Sequence, residues 1–234
     1  MNKVKGIVLA GLLCSMMSVA AKAQFSFGPR LGVNGAKAIL DCESDDEFKT
    51  KMRVGAQAGV QFSAEFGHFA IQPAILYSQK GYDIDYVLNI GQYKTTFVGS
   101  AKLNYIEVPL NFVYTTGDKQ GLQLFAGPYI EYGLNGKYQE ERSFSSTPNY
   151  TYKRGSDVEF VTKEGSDPRA VYFRRVNAGA NVGLGYKAGP IQAQLGYGFG
   201  LTNILPKEGT FDNKQYSRVL HLSLAYLFNI GSEE

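Results

Sequence analysis

Residues 53–66 alternate without a break: Val54, Ala56, Ala58, Val60, Phe62, Ala64 and Phe66 interleave with Arg53, Gly55, Gln57, Gly59, Gln61, Ser63 and Glu65. A period of two makes one β-strand with an apolar face and a small, polar face. The run exceeds the roughly 5–6 residues usual in globular sheets. It is long enough for the about 9–11 tilted residues with which a strand crosses a bilayer.

The two-faced pattern returns seven more times. In the first strand Phe25, Phe27, Leu31 and Val33 oppose Ser26, Arg30 and Asn34, and in the third Phe69, Ile71, Ile75 and Tyr77 oppose Gln72, Ala74, Ser78 and Lys80. The fourth sets Ile106, Val108, Leu110, Phe112 and Tyr114 against Glu107, Asn111 and Val113; the fifth sets Leu122, Leu124, Ala126, Ile130 and Tyr132 against Gln123, Phe125, Gly127, Tyr129 and Glu131. In the sixth, Val176 to Tyr186 alternate with Arg175, Asn177, Gly179, Asn181, Gly183 and Gly185, and in the seventh Ile191, Ala193, Leu195, Tyr197 and Phe199 alternate with Gln192, Gln194, Gly196 and Gly198. Leu220, Leu222, Leu224, Tyr226 and Phe228 around His221, Ser223 and Ala225 close the series.

The ends agree with export. Lys3 and Lys5 precede an apolar stretch over residues 7–20, and Ala21-Lys22-Ala23 before Gln24 forms a cleavage site of the A-x-A type, so residues 1–23 read as a secretory signal peptide cut between Ala23 and Gln24. The apolar stretch falls short of the roughly 20 residues that a spanning helix needs. Leu13 before Cys14 is too large for a lipoprotein signal. Cleavage takes Lys3, Lys5 and Lys22 from 24 basic residues and nothing from 21 acidic ones, so the mature chain is near neutral and a nucleic-acid partner has no support. Cys42 is then the one cysteine left, which excludes an internal disulfide.

Three connections are short: Gly67-His68, residues 115–121 and residues 187–190. The other four intervals span roughly 17, 21, 40 and 16 residues. Short turns on one rim and long loops on the other predict an all-β fold, an eight-stranded antiparallel up-and-down transmembrane β-barrel over residues 24–234, with its termini in the periplasm. A soluble barrel of the lipocalin kind also alternates, but it turns its apolar face inward. Phe25, Phe27, Phe66, Phe69, Phe112, Tyr114, Tyr186, Tyr226 and Phe228 fall at strand ends on the short-turn side and predict a periplasmic aromatic girdle; Tyr77, Tyr132 and Phe199 begin a thinner outer one.

Leu-Asn-Tyr-Ile-Glu-Val-Pro-Leu at 103–110, Phe-Ala-Gly-Pro-Tyr at 125–129, Gly-Pro-Arg-Leu-Gly-Val-Asn at 28–34 and Leu-Ala-Tyr-Leu-Phe at 224–228 resemble the PorT-like outer-membrane β-barrel family, of the eight-stranded OmpX/OmpA-like type. The resemblance covers residues 24–234. It implies location in the outer membrane of a Gram-negative envelope, no cofactor and no agreed active site, and some members are linked to protein secretion. Residues 229–234 follow Phe228, where many such barrels end on the aromatic residue.

An eight-stranded barrel encloses little more than side chains. Arg30 and Glu107 at mid-height, Arg53, Lys80, Glu131 and Arg175 nearer the outside and Glu65 near the periplasm are therefore expected to form a luminal charge network; a narrow ion path is the competing reading. His221 and Ser223 share a face, as the relay of an outer-membrane lipid deacylase would, but parity points both into the lumen, away from lipid. The acidic run Asp41, Glu43, Asp45, Asp46 and Glu47 lacks the glycine-containing frame of a calcium loop and reads as solvated. Residues 133–174, with Tyr138, Phe144, Tyr150, Tyr152, Phe160 and Tyr172, form either a binding loop or a hairpin continuing above the membrane.

The expected role is non-enzymatic, without metal or cofactor: a filled barrel presenting extracellular loops for envelope integrity or partner interaction. A small channel or secretion accessory is the alternative, and a lipid-modifying enzyme a weaker one. Expected partners are outer-membrane lipid and lipopolysaccharide, the barrel-assembly machinery during insertion, and a protein at the loops.

Overall fold

The computed structural model describes residues 24–41, 50–90, 93–117, 120–145, 150–162, 167, 170–206 and 214–230. The signal peptide expected over 1–23, Cys42 and the acids Glu43, Asp45, Asp46 and Glu47 lie outside these residues. Eleven strand segments follow one another: β1 Gln24–Asp41, β2 Thr50–Phe66, β3 Phe69–Ile90, β4 Tyr93–Thr115, β5 Gln120–Ser145, β6 Tyr150–Val161, β7 Val171–Arg174, β8 Val176–Ala188, β9 Ile191–Gly200, β10 Lys214–Tyr226 and β11 Phe228–Ile230.

Eight of them close a ring. Each of β1 to β5 pairs antiparallel with the next, the lower half of β5 pairs with β8, and β9 and β10 lead back to β1. Closure leaves the ring no free edge, which hydrocarbon would penalise by several kcal/mol per unsatisfied backbone group. β11 continues the last strand past Leu227, whose N–H donates to the Pro190 carbonyl at 2.8 Å, and pairs with the start of β1.

The faces follow the alternation. Gln57, Gln61 and Ser63 are buried while Val54, Val60 and Phe62 are exposed, and the same division holds around the ring. Forty per cent exposure or more for Leu31, Ile75, Leu124, Ile130, Leu184, Leu195 and Leu222 would be an aggregation hazard in water. In a bilayer these side chains form the lipid contact.

Above the apolar band the strands do not stop. β3 and β4 are paired up to Ile90 and Tyr93, and β5 and β6 up to Phe144 and Tyr150. The interval expected to be a long loop between the third and fourth barrel strands is thus largely strand, residues 133–161 take the hairpin alternative, and β3 to β6 rise from the barrel as one protruding sheet. Their backbone groups pair with each other there, which an irregular loop of that length could not arrange as completely.

Gly81 sits where β2 gains a bulge against β3, between Met52 and Gln57. Its φ is +146°, and a Cβ there would lie 2.0 Å from the Ala101 carbonyl oxygen. Gly81→Ala should cost about 1–3 kcal/mol. Gly155→Ala, where a Cβ meets nothing within 4 Å, should be close to neutral. Urea unfolding in lipid vesicles compares the two, and equal losses would contradict this reading.

Candidate functional site

The lumen is filled in three layers. The lowest, towards the short turns, is an amide network. Gln61 donates to Gln192 at 2.6 Å and to Gln72 at 3.3 Å, Gln192 donates to Gln72 at 3.0 Å and to Gln123 at 2.5 Å, and Gln72 donates to Ser63 at 3.3 Å. Glutamine suits this duty because each side chain both donates and accepts, so buried partners from β2, β3, β5 and β9 cross-link one another. Glu65 pairs with Lys187 below this layer, at the rim.

The middle layer holds the charges. Lys80 Nζ lies 2.8 Å from Glu107 Oε2 and 2.6 Å from Glu131 Oε2, with side-chain exposures of 5%, 9% and 2%. The ammonium also stands 4.9 Å from the centroid of the Tyr129 ring. Arg30, 3% exposed, donates from Nη1 to Gln61 Oε1 at 3.1 Å and so ties this layer to the amides below. Register brings the triad together, since β4 pairs with β3 on one side and with β5 on the other, and Glu107 lies directly across from Glu131.

The remaining predicted charges lie elsewhere. Arg53 pairs with Asp83 at 2.6 Å above the triad, both partly exposed. Arg175 is a correction: it is exposed, donating to the Phe160 carbonyl and, at 3.4 Å, to the Tyr132 hydroxyl, with its guanidinium 5.8 Å from the Tyr132 ring centroid. The strand breaks between Arg174 and Val176, so parity counted down from Val176 fails at this residue. Its job is to lash β6 to the outside of β5.

The top layer is apolar and closes the mouth. Phe160 and Phe173, 3% and 1% exposed, pack with Tyr105, Leu103, Tyr82 and Ile204. The Phe160 ring takes the space over Gly133, where a Cβ would fall 2.2 Å from Cδ1. The sequence places Phe160 in either a binding loop or a hairpin continuing above the membrane and assigns no role to Phe173. The alternations Val158-x-Phe160 and Val171-x-Phe173 carried the signal, in segments too short to stand out.

His221 and Ser223 are 6% and 3% exposed on the luminal face of β10. Both imidazole nitrogens lack a hydrogen-bond partner, and the ring lies 6.3 Å from Phe125. No described acid contacts the imidazole by hydrogen bond.

At the opposite rim the aromatic side chains gather. Phe27 stacks on Phe62 at 6.4 Å and approaches Phe228 at 6.3 Å, Phe228 meets Tyr226 at 4.9 Å, and Phe69 meets Tyr114 at 5.2 Å. Phe25, Phe112 and Tyr186 are exposed beside them and Phe66, opposite Phe69, is half-buried.

The protruding sheet is two-faced. On the side continuous with the lumen lie Tyr86, Phe97, Tyr138, Glu140, Arg142, Phe144, Tyr150 and Tyr152, with Tyr86 stacked on Phe97 at 4.9 Å and Arg142 5.0 Å from the Phe97 centroid. The other side carries Asp85, Lys94, Thr96, Lys102, Lys137, Glu141, Lys153 and Asp157.

A closed ring of eight antiparallel strands, apolar outside and filled within, defines an outer-membrane β-barrel. The model of the outer membrane protein beta-barrel domain family matches residues 19–205, and the chain belongs to that family, in the bacterial outer membrane. No curated protein matches the chain. Among solved structures it is similar to Ail, the attachment invasion locus protein of Yersinia pestis, at 14% identity over 87% of this chain and 98% of that one, with a TM-score of 0.40. It is also similar to Neisserial surface protein A, at 12% identity over 87% and 99%, with a TM-score of 0.41.

Proposed function

We propose that this protein is a non-enzymatic, non-conducting barrel whose task is to hold the extracellular sheet out from the cell for partner interaction or envelope integrity. The observation that carries this reading is the layering of the lumen: amides, ion triad and aromatic plug succeed one another, while the strands continue outward into an ordered sheet. The burial of His221 and Ser223 supports a structural part for them. A cleaved signal peptide over residues 1–23 would supply the export route, and the assembly machinery, lipid and lipopolysaccharide the setting.

Excising residues 141–153 and joining Glu140 to Arg154 through two glycines removes the top of the β5–β6 hairpin above a matched pair. The variant should still show heat-modifiable gel mobility. It should lose either the wild type's tolerance of detergent with a chelator or the species photo-crosslinked on intact cells from position 94, which the excision leaves in place beside the removed hairpin top. If neither changes, the display reading falls.

The PorT-like motifs at 103–110 and 125–129 support a second reading, an accessory in secretion. A chromosomal deletion that retains exported proteins in the periplasm would favour it over display.

A further inference from the structure

On the outer wall of the barrel the seam between β1 and β10 sets two bases face to face. Lys37 lies directly across from Arg218, both on the outward side of the alternation and both half-buried. Lys37 stands ten residues along β1 from Phe27, and Arg218 ten residues before Phe228. That places the pair at the end of the about 9–11 residues with which a strand crosses the hydrocarbon. Arg218 is held in position: Nη1 donates to the carbonyls of Gly200 and Ser217, both at 2.9 Å. Its guanidinium lies 5.9 Å from the Phe199 centroid and 6.0 Å from that of Tyr216. Among the described residues no carboxylate forms an ion pair with Lys37 or Arg218. Like charges directly opposite on a ladder are destabilising. The pair Lys102 and Lys137, also directly opposite, differs in having Asp157 beside it on β6.

Below Lys37 and Arg218 the same seam is grooved. Leu31, Val33, Ile191, Leu222, Leu224 and Tyr226 line an open apolar groove of about 570 Å³ on the lipid face. Val33 pairs with Leu222 and Leu31 with Leu224, so the two cations and the groove follow one line along the wall. At about 3.4 Å per residue, the stretch from Lys37 to Leu31 runs about 20 Å. One leaflet with its headgroups is about as deep, half of a roughly 40–45 Å bilayer.

We infer that this seam binds a phosphorylated lipid of the leaflet next to the protruding sheet, with its phosphate between Lys37 and Arg218 and an acyl chain in the groove. The ammonium and the remaining guanidinium N–H groups supply charge-assisted donors, and the planar guanidinium suits phosphate oxygens. Two cations match a phosphate monoester, which carries about −1.5 to −2 at neutral pH, better than a singly charged diester. The phosphate also turns the repulsion between the two bases into attraction to a shared anion. Phe199 and Tyr216 flank it at the level where aromatic side chains gather in membrane proteins. The site needs the lipid-facing ring and not the display reading.

Native mass spectrometry of the full chain in an uncharged detergent, titrated with dimyristoylphosphatidic acid, tests the assignment. One lipid should be retained with saturation, several-fold more tightly than dimyristoylphosphatidylglycerol, and dimyristoylphosphatidylcholine should not saturate. Lys37→Gln and Arg218→Gln should each weaken binding about tenfold, the effect of losing one charge-assisted hydrogen bond. Lys94→Gln, far out on β4, should leave it unchanged. Leu222→Trp, which crowds the groove and spares both bases, should weaken it. Inorganic phosphate in about hundredfold excess should not displace the lipid, because it has no chain to lay in the groove. The heat-modifiable gel band identifies the variants that fold, and either charge variant suffices. No saturable binding, equal retention of the phosphatidylcholine, unchanged affinity in a folded charge variant, or displacement by inorganic phosphate would each overturn the assignment. A stable dimer in place of the lipid complex would overturn it too, by giving the seam to a second copy.

Discussion

Lys80→Met should destabilise the folded barrel by about 3–5 kcal/mol, the cost of removing one partner from a buried charge group. The methionine has nearly the shape of the lysine stem, so little of the loss is packing. What remains is Glu107 and Glu131, both almost fully buried, side by side and without the ammonium that bridges them. The triple variant with Glu107→Gln and Glu131→Gln should recover most of the loss, because neutral amides avoid the repulsion and suit a lumen already built on glutamine. Urea unfolding in vesicles at neutral pH measures all three proteins. A cost unchanged by the two amides would mean that Lys80 does not hold these carboxylates.

Leu195→Arg should cost about 2–4 kcal/mol, the penalty for a cation on the lipid face near the bilayer midplane. Leu195 is half-exposed and lies between Leu184 and Leu222 on the neighbouring strands, within the apolar band. Leu195→Val keeps the surface apolar and should stay within about 1 kcal/mol, as a volume-reducing change with little cavity behind it. Folding titrations in vesicles decide between the two. If arginine is as well tolerated as valine, the outward face of β9 does not contact lipid.

Most of the ring was legible because a period of two needs no tertiary information: Gln61 in and Val60 out follow from neighbours in the chain. Membership of the lumen was legible for Lys80, Glu107 and Glu131 in the same way, but their convergence was not, since height depends on the register between β3, β4 and β5. Arg175 was misplaced because a strand break resets parity. The β5–β6 part of the protruding sheet was legible as one of two alternatives for residues 133–174, and the β3–β4 part was masked by its own chemistry. Lys94, Glu141, Lys153 and Asp157 on one face gave the segments a loop-like composition, while the aromatic face that orders them is visible only once the strands are paired.

Planar-bilayer recording tests the filled barrel most directly. Purified protein that shows the folded, heat-modifiable band should give no discrete conductance steps over a wide voltage range, because amides, the Lys80 triad and the Phe160–Phe173 plug occupy the bore in succession. Reproducible single-channel steps from that folded species would show a continuous water path through the lumen and contradict the account.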